Sequence, residues 1–153
     1  MDNFEKEINI AAIENISELS ELLSQLFSKE LEFKPDRQKQ EKGLIEIINN
    51  PFIGEILILK FDKKTVGMVS LLYSISTALG GKVAVLEDMI IDKEYRNKGL
   101  GSYLLNEAID FAKKRNCLRI TLLTDHNNDI AIKFYKKSGF VNSPMIPLRL
   151  VFK

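Results

Sequence analysis

The chain has little from which a disulfide or a metal centre could be built: one cysteine, Cys117, and one histidine, His126, among 153 residues. A lone cysteine cannot form an intrachain disulfide, which accords with a reducing compartment. Cys117 reads as a small buried hydrophobe between a helix and a strand. One imidazole in the polar stretch 125–129 is weak support for a metal site, so His126 is read as a loop or helix-entry residue and no metal is expected. No apolar run approaches the ~18 residues of a membrane span. Met1–Lys6 has neither a basic n-region nor an apolar h-region, so a cytoplasmic protein without a membrane partner is expected. A formal net charge of +1 gives no pull toward nucleic acid. The basic run Lys113-Lys114-Arg115 falls where a helix would end and suits its dipole. With no repeat, low-complexity segment or linker, residues 1–153 are expected to form one domain.

What is present is a clear alternation of periods. Glu7 to Ile13 reads as an opening strand. Ile13, Ile16, Leu19, Leu22, Leu23, Leu26 and Phe27 mark an amphipathic helix, with Asn15 or Ser17 as cap. Helical spacing resumes from Gln38 to Ile48 and stops before Pro51. Strands are expected at 55–61, 65–76 and 83–92, the first two joined by a hairpin at Asp62-Lys63-Lys64. A helix follows with Leu100, Leu104, Leu105, Ala108, Ile109 and Ala112 on one face. Next come a short strand at 118–124, a helix ending near Ser138, and a last edge strand suggested by Leu148, Leu150 and Phe152.

The most informative segment is Arg96-Asn97-Lys98-Gly99-Leu100-Gly101, placed between a buried strand and an amphipathic helix. Gly99 and Gly101 remove side chains that would hold a phosphate away from the main chain, and they permit a tight turn. The amides at the helix start then face the anion, and Arg96 and Lys98 add charge at the mouth. A P-loop would need Lys and then Ser or Thr after its second glycine, whereas Ser102 and Tyr103 follow Gly101. A dinucleotide fingerprint would need a third small residue where Leu104 stands.

The remaining pattern, Arg-x-x-Gly-x-Gly, resembles the acetyl-coenzyme A signature of the GCN5-related N-acetyltransferases (the GNAT superfamily). A second stretch, Asn128-Asp129-Ile130-Ala131-Ile132-Lys133-Phe134-Tyr135-Lys136-Lys137-Ser138-Gly139-Phe140, is similar to that family's C-terminal signature. The resemblance covers residues 66–140. It implies an α/β fold with a mixed, mostly antiparallel central sheet flanked by helices, in the order β-α-α-β-β-β-α-β-α-β. It also implies acetyl-CoA as cosubstrate, held by Arg96, Asn97, Lys98, Gly99, Leu100, Gly101, Ser102, Asn128, Ala131, Phe134 and Tyr135, with main-chain groups of Met89, Ile90 and Ile91 on the pantetheine. Lys133, Lys136 or Lys137 is a candidate for the outer phosphate.

Acetyl transfer from a thioester to an amine needs a neutral amine, a stabilised oxyanion and an acid for the departing thiolate. Glu87 and Asp88 stand on an otherwise apolar strand, and alternation places Glu87, Met89 and Ile91 on one face with Asp88 and Ile90 on the other. Leu86-Glu87-Asp88 is similar to the diamine and thialysine acetyltransferase branch, which implies Glu87 as base with Asp88 in reserve. Tyr135 stands where the family has its thiolate-protonating tyrosine, and a phenol of pKa ~10 suits that donor role. The expected reaction is direct attack by a small-molecule primary amine in a ternary complex, with the acceptor bound by residues 26–50 and 73–82. A non-catalytic coenzyme A-binding module, an acetyltransferase of protein N-termini or lysines, and an interaction subunit of a larger complex are the alternatives. The reading leaves a homodimer open.

Overall fold

The computed structural model describes residues 4–153. Strands Lys6–Ile10 (β1), Gly54–Phe61 (β2), Lys64–Ser76 (β3), Gly81–Ile91 (β4) and Ile120–Leu122 (β5) form one sheet in the order β1-β2-β3-β4-β5. All neighbours are antiparallel except β4 and β5, whose parallel pairing requires a crossover. That crossover is the helix Leu100–Lys114 (α3), while Ile16–Phe27 (α1) and Arg37–Ile48 (α2) connect β1 to β2 and Asp129–Lys137 (α4) follows β5.

The period of two in β2 sorts the core into two layers. Ile56 and Ile58 join Leu19, Leu22, Leu23 and Leu44 beneath α1 and α2. Leu57 and Leu59 face the other way, toward Leu100, Leu104, Leu105, Ala108 and Ala112 of α3. Helices on both faces therefore leave no apolar side of β2 to water. Asp36 caps α2 by accepting from Lys39 N at 3.2 Å. Gln40 ties α2 to α1 by donating to Ser20 O at 3.0 Å and to Ser24 Oγ at 3.1 Å. The β2–β3 turn is tighter than expected: Lys64 already belongs to β3, and Asp62 and Lys63 carry the two positive φ angles, 50° and 68°, as a two-residue hairpin turn requires.

Two expectations about strands fail. The strand expected at 118–124 shortens to Ile120–Leu122, and the final strand does not form, so the element order ends after α4. Leu148, Leu150 and Phe152 are 89%, 82% and 88% exposed instead. Alternation is a local pattern, whereas a strand exists only where a neighbour accepts its amides. Pro144 and Pro147 cannot donate, and Arg149 is tied to Glu32 on the α1–α2 connection at 2.7 Å.

Away from the signature turn, an ion pair between buried Glu55 and half-exposed Arg115 fastens the sheet to the end of α3. Arg115 donates through Nε and Nη2 to the two oxygens of Glu55 at 2.8 and 2.9 Å, and the Tyr73 hydroxyl donates to the same carboxylate at 2.8 Å. The Arg115 bonds hold the Glu55 carboxyl below its ordinary range against the opposing effect of burial. Glu55→Gln is therefore expected to lower stability at neutral pH by ~1–3 kcal/mol, at the lower end of broken buried pairs because half-exposed Arg115 can rehydrate. A group with a depressed folded pKa stabilises above its unfolded value and loses that contribution as pH falls through the folded one. The difference in melting temperature between parent and variant should accordingly shrink on acidification below about pH 4, the ordinary glutamate range.

Candidate active site

Two residues with left-handed backbone shape the signature turn. Asn97 has φ of 62° and Gly99 of 75°, a pattern that turns successive amides into one concavity. Gly99 is the N-cap of α3 and supplies no side-chain cap. The first closing bond of the helix runs from Tyr103 N to Gly99 O at 3.1 Å, which leaves the amides of Leu100, Gly101 and Ser102 without an intrahelical acceptor. Leu100 itself is buried in the core, so only its main chain faces the turn. Arg96 donates from Nε to Ile91 O at 3.0 Å, and its Nη2 is buried without a partner among the described residues. An orphaned cationic donor beside free amides is a fit for an anion. Lys29, which the sequence reading missed, adds to this charge: burial first, and then Arg96 and Lys93, lower its pKa.

Gly101 is small for a reason other than packing. A Cβ there would meet the Phe134 ring at 3.5 Å and Ile91 at 3.8 Å, ordinary contact distances. The glycine instead keeps open the space where the first turn of α3 approaches α4. On the α4 side, Asn128 caps the helix by accepting from Ala131 N at 3.1 Å, leaving its Nδ2 group to donate elsewhere. Phe134 and Phe140 hold the Tyr135 ring in edge-on contacts at centroid distances of 5.1 and 5.7 Å. Burial pushes the Tyr135 phenol up to about 12.

Between the two signatures β4 separates from β5. The parallel pairing covers only Ala84 to Leu86, so the stretch from Glu87 to Ile91 has no β5 partner on that side. On its other side a bulge interrupts pairing with β3: Ser70 opposes Glu87 and Met68 opposes Ile90, leaving Asp88 and Met89 against Val69. Asp88 takes φ of 53°, a conformation Asp tolerates better than most residues. The bulge corrects the expected alternation. Leu86 and Ile91 pack toward α3, Ile90 packs toward α1 and α2, and Glu87 and Asp88 line the same cavity rather than opposite faces.

That cavity has a volume of about 500 Å³ and lies between β4, α1, α2 and their connection. Leu23, Phe27, Phe33, Leu44, Ile47, Leu86 and Leu123 give it an apolar lining, Glu30, Asp36, Glu87 and Asp88 bring carboxylates, and Lys34, Lys39 and Arg149 bring cations. Its lining includes residues from 27–47, within the 26–50 segment expected to hold the acceptor, none from 73–82, and also Leu23, Leu123 and Arg149, which lie outside both segments. Around Glu30 and Asp88 the neighbouring charges are negative. Burial, then Asp125, Glu32 and Glu87, raise the Glu30 carboxyl. Burial, then Glu87 and Glu30, carry Asp88 up to about 7, while the fully buried Ser70 hydroxyl favours the ionised form without completing a hydrogen bond of good geometry. Among the described residues no group of three or more His, Cys, Asp or Glu is arranged to hold a metal ion, and no helix is long and apolar enough to cross a membrane.

The comparisons agree with this architecture. Residues 16–140 match the family model described as acetyltransferase (GNAT) family, and the chain belongs to that family. It is similar to an uncharacterised N-acetyltransferase of Methanocaldococcus jannaschii, 36% identical over 46% of this chain and 32% of the relative. It is also similar to N-alpha-acetyltransferase 30 of Schizosaccharomyces pombe, 31% identical over 77% of this chain and 69% of the relative. The chain thus spans about a third of the length of the first of these and about two thirds of the second. Among solved structures, a possible acetyltransferase from Clostridium difficile 630 superposes with a TM-score of 0.84 at 20% identity, covering 96% of this chain and 99% of that one. A predicted acetyltransferase with acetyl-CoA from Clostridium acetobutylicum gives 0.77 at 18% identity, covering 95% and 96%.

Proposed function

We propose that this chain is an N-acetyltransferase domain that moves an acetyl group from acetyl-CoA to the primary amine of a small cationic molecule, by direct attack in a ternary complex. The observation that carries this reading is a junction. The anion cradle at 96–101 and the carboxylate-lined cavity meet at one stretch of β4, where a bulge opens one edge and loss of the β5 ladder opens the other. Acetyl-CoA supplies an activated acetyl thioester when bound, and the amides and charges of the turn fit its pyrophosphate.

The remaining work falls to the chain's own groups. The carboxylates attract an ammonium group and lower its freedom in the cavity, and the apolar wall accepts its carbon skeleton. Asp88 takes the ammonium proton: it is more buried than Glu87 and, at about 7, is matched to neutral pH. Glu87 keeps Asp88 basic through its negative charge and helps recruit the cation. Main-chain groups of Met89, Ile90 and Ile91 on the unpaired edge are available to the pantetheine and to the thioester oxygen. Tyr135 holds a proton at its Oη for the departing sulfur. The paired carboxylates Glu87 and Asp88 in the cavity favour this over a non-catalytic coenzyme A-binding role, which would need the cradle alone.

A thiol-release assay over polyamines, aminoglycosides, amino acids and peptides tests the reading. Acceleration by at least one cationic small amine is expected. Acceleration by peptides alone would transfer the activity to protein acceptors, and release by none of them with intact cofactor binding would leave a binding module. Gly101→Val should abolish acetyl-CoA binding by calorimetry, because its methyls enter the space kept open beside Phe134. Gly101→Ala is the fold control, with helix stability raised by ~0.5–1 kcal/mol. Unchanged affinity in Gly101→Val would remove the turn from the cofactor site.

A further inference from the structure

Ser70 is the one polar side chain in the buried run Val66 to Leu71 of β3. It is fully buried, and its Oγ has no hydrogen-bond partner among the described residues. A buried hydroxyl left unpaired carries a desolvation cost that alanine would not, so packing does not account for it. Val69 and Leu71 pack toward α3 and Met68 toward α1 and α2, so the period of two puts Ser70 on the side of Met68. That is the side of the acceptor cavity. Across the strand pair Ser70 opposes Glu87, and the bulge that begins there sets the Asp88 carboxyl next to the hydroxyl.

We propose that Ser70 is a positioning residue for the base at Asp88, its hydroxyl donating to the carboxylate once Asp88 is ionised and accepting from the acid once Asp88 is protonated. This role rests on the reading of Asp88 as the base. Serine suits the place because its hydroxyl is donor and acceptor on one rotor, so a turn about the Cβ–Oγ bond follows the proton without moving the strand. The proton taken from the ammonium stays on Asp88, and Ser70 keeps its own. Donation to the carboxylate favours the ionised form, against the burial and the charges of Glu87 and Glu30 that hold Asp88 protonated. It also fixes one carboxylate oxygen toward β3 and leaves the other for the amine. The charged groups that share the cavity with Asp88 are Glu87 on β4, Glu30 and Lys34 on the α1–α2 connection, Asp36 and Lys39 at the start of α2, and Arg149 of the tail, while α1 lends only Leu23 and Phe27. A substitution at Ser70 alters none of these charges.

Carbon-13 resonances of the aspartate carboxyls, with that of Asp88 assigned by Asp88→Asn, follow its titration independently of turnover. Ser70→Ala should move that titration upward by about one pH unit, the loss of one hydrogen bond to a charged group. Ser70→Cys keeps the volume with a weak donor and should move it the same way, whereas Ser70→Thr restores the hydroxyl and should return it to the parent. The rising limb of turnover should follow, so that Ser70→Ala is slower by up to about tenfold below the limb and recovers at high pH. Packing alone would change the melting temperature and leave the titration in place. An Asp88 titration unmoved in both Ser70→Ala and Ser70→Cys, or a Ser70→Thr that titrates with Ser70→Ala, overturns the role of Ser70. If the Asp88 titration moves in Ser70→Ala and the turnover limb does not, the hydrogen bond stands and Asp88 is not the base, so the two readings fail separately.

Discussion

Asp88→Asn should reduce turnover at pH 7 by ~100-fold or more, the ordinary loss for a general base, while making the folded protein more stable at pH 8. The two effects share one cause. Burial and the neighbouring charges of Glu87 and Glu30 raise the Asp88 carboxyl from its ordinary 3.8 to about 7. A carboxyl raised in the folded state binds its proton more tightly there than in the unfolded chain. Stability therefore falls as pH rises between about 4 and about 7, and the full cost is felt above 7. At ~1.4 kcal/mol per pH unit the displacement corresponds to at most about 4 kcal/mol. Asparagine removes the charge, keeps the shape and tolerates the left-handed backbone of the bulge. Melting curves should show the variant ahead of the parent at pH 8 and level with it near pH 4. Parental turnover should climb with pH through about 7, and the variant should lack that limb. Glu87→Gln should be milder and should move the limb to lower pH, because Glu87 is the largest raising influence after burial. If Glu87→Gln is the severe variant and Asp88→Asn the mild one, the base is Glu87.

This division between the two acids shows where local pattern stops being informative. The β2–β3–β4 meander, the four helices and the signature turn are all legible from period and turn chemistry, because each depends on residues within a few positions of one another. The bulge is not. It arises from the pairing of β3 with β4, a contact between residues near 69 and residues near 88, and it alone brings Asp88 to the cavity beside Glu87. The same holds for Arg149, which reaches Glu32 across 117 positions of chain, and for Lys29, whose nearness to Arg96 is a property of the packed fold. The final strand failed as an expectation for a related reason: its alternation was read correctly, but alternation does not supply a neighbour. The glycines of the cradle were legible for the opposite reason, since a turn that must bare its amides leaves its mark on consecutive residues. The wall of the cavity proposed for the acceptor is assembled from α1, α2, β4, the segment after β5 and the tail, and no short motif spans such a surface.

Tyr135→Phe should lower turnover by ~100-fold or more while leaving the affinity for acetyl-CoA within about twofold, provided chemistry limits the rate. The ring is held by edge contacts with Phe134 and Phe140, and phenylalanine preserves both, so packing and fold are unchanged. Only the hydroxyl proton is lost. Burial keeps that proton on the phenol up to about 12, well above any working pH, so Tyr135 is in the donor state whenever the sulfur departs. An interaction made only in the transition state lowers turnover and efficiency together without a compensating change in binding. A poorer leaving group then becomes a sharper probe than the mutation alone. The parent should be nearly indifferent to thiol leaving-group pKa across a series of acyl thioesters, since protonation offsets the developing charge, whereas Tyr135→Phe should become steeply dependent on it. Near-parental turnover in Tyr135→Phe under single-turnover conditions, or an unchanged leaving-group dependence, would make Tyr135 a packing residue and assign the thiolate's proton to solvent.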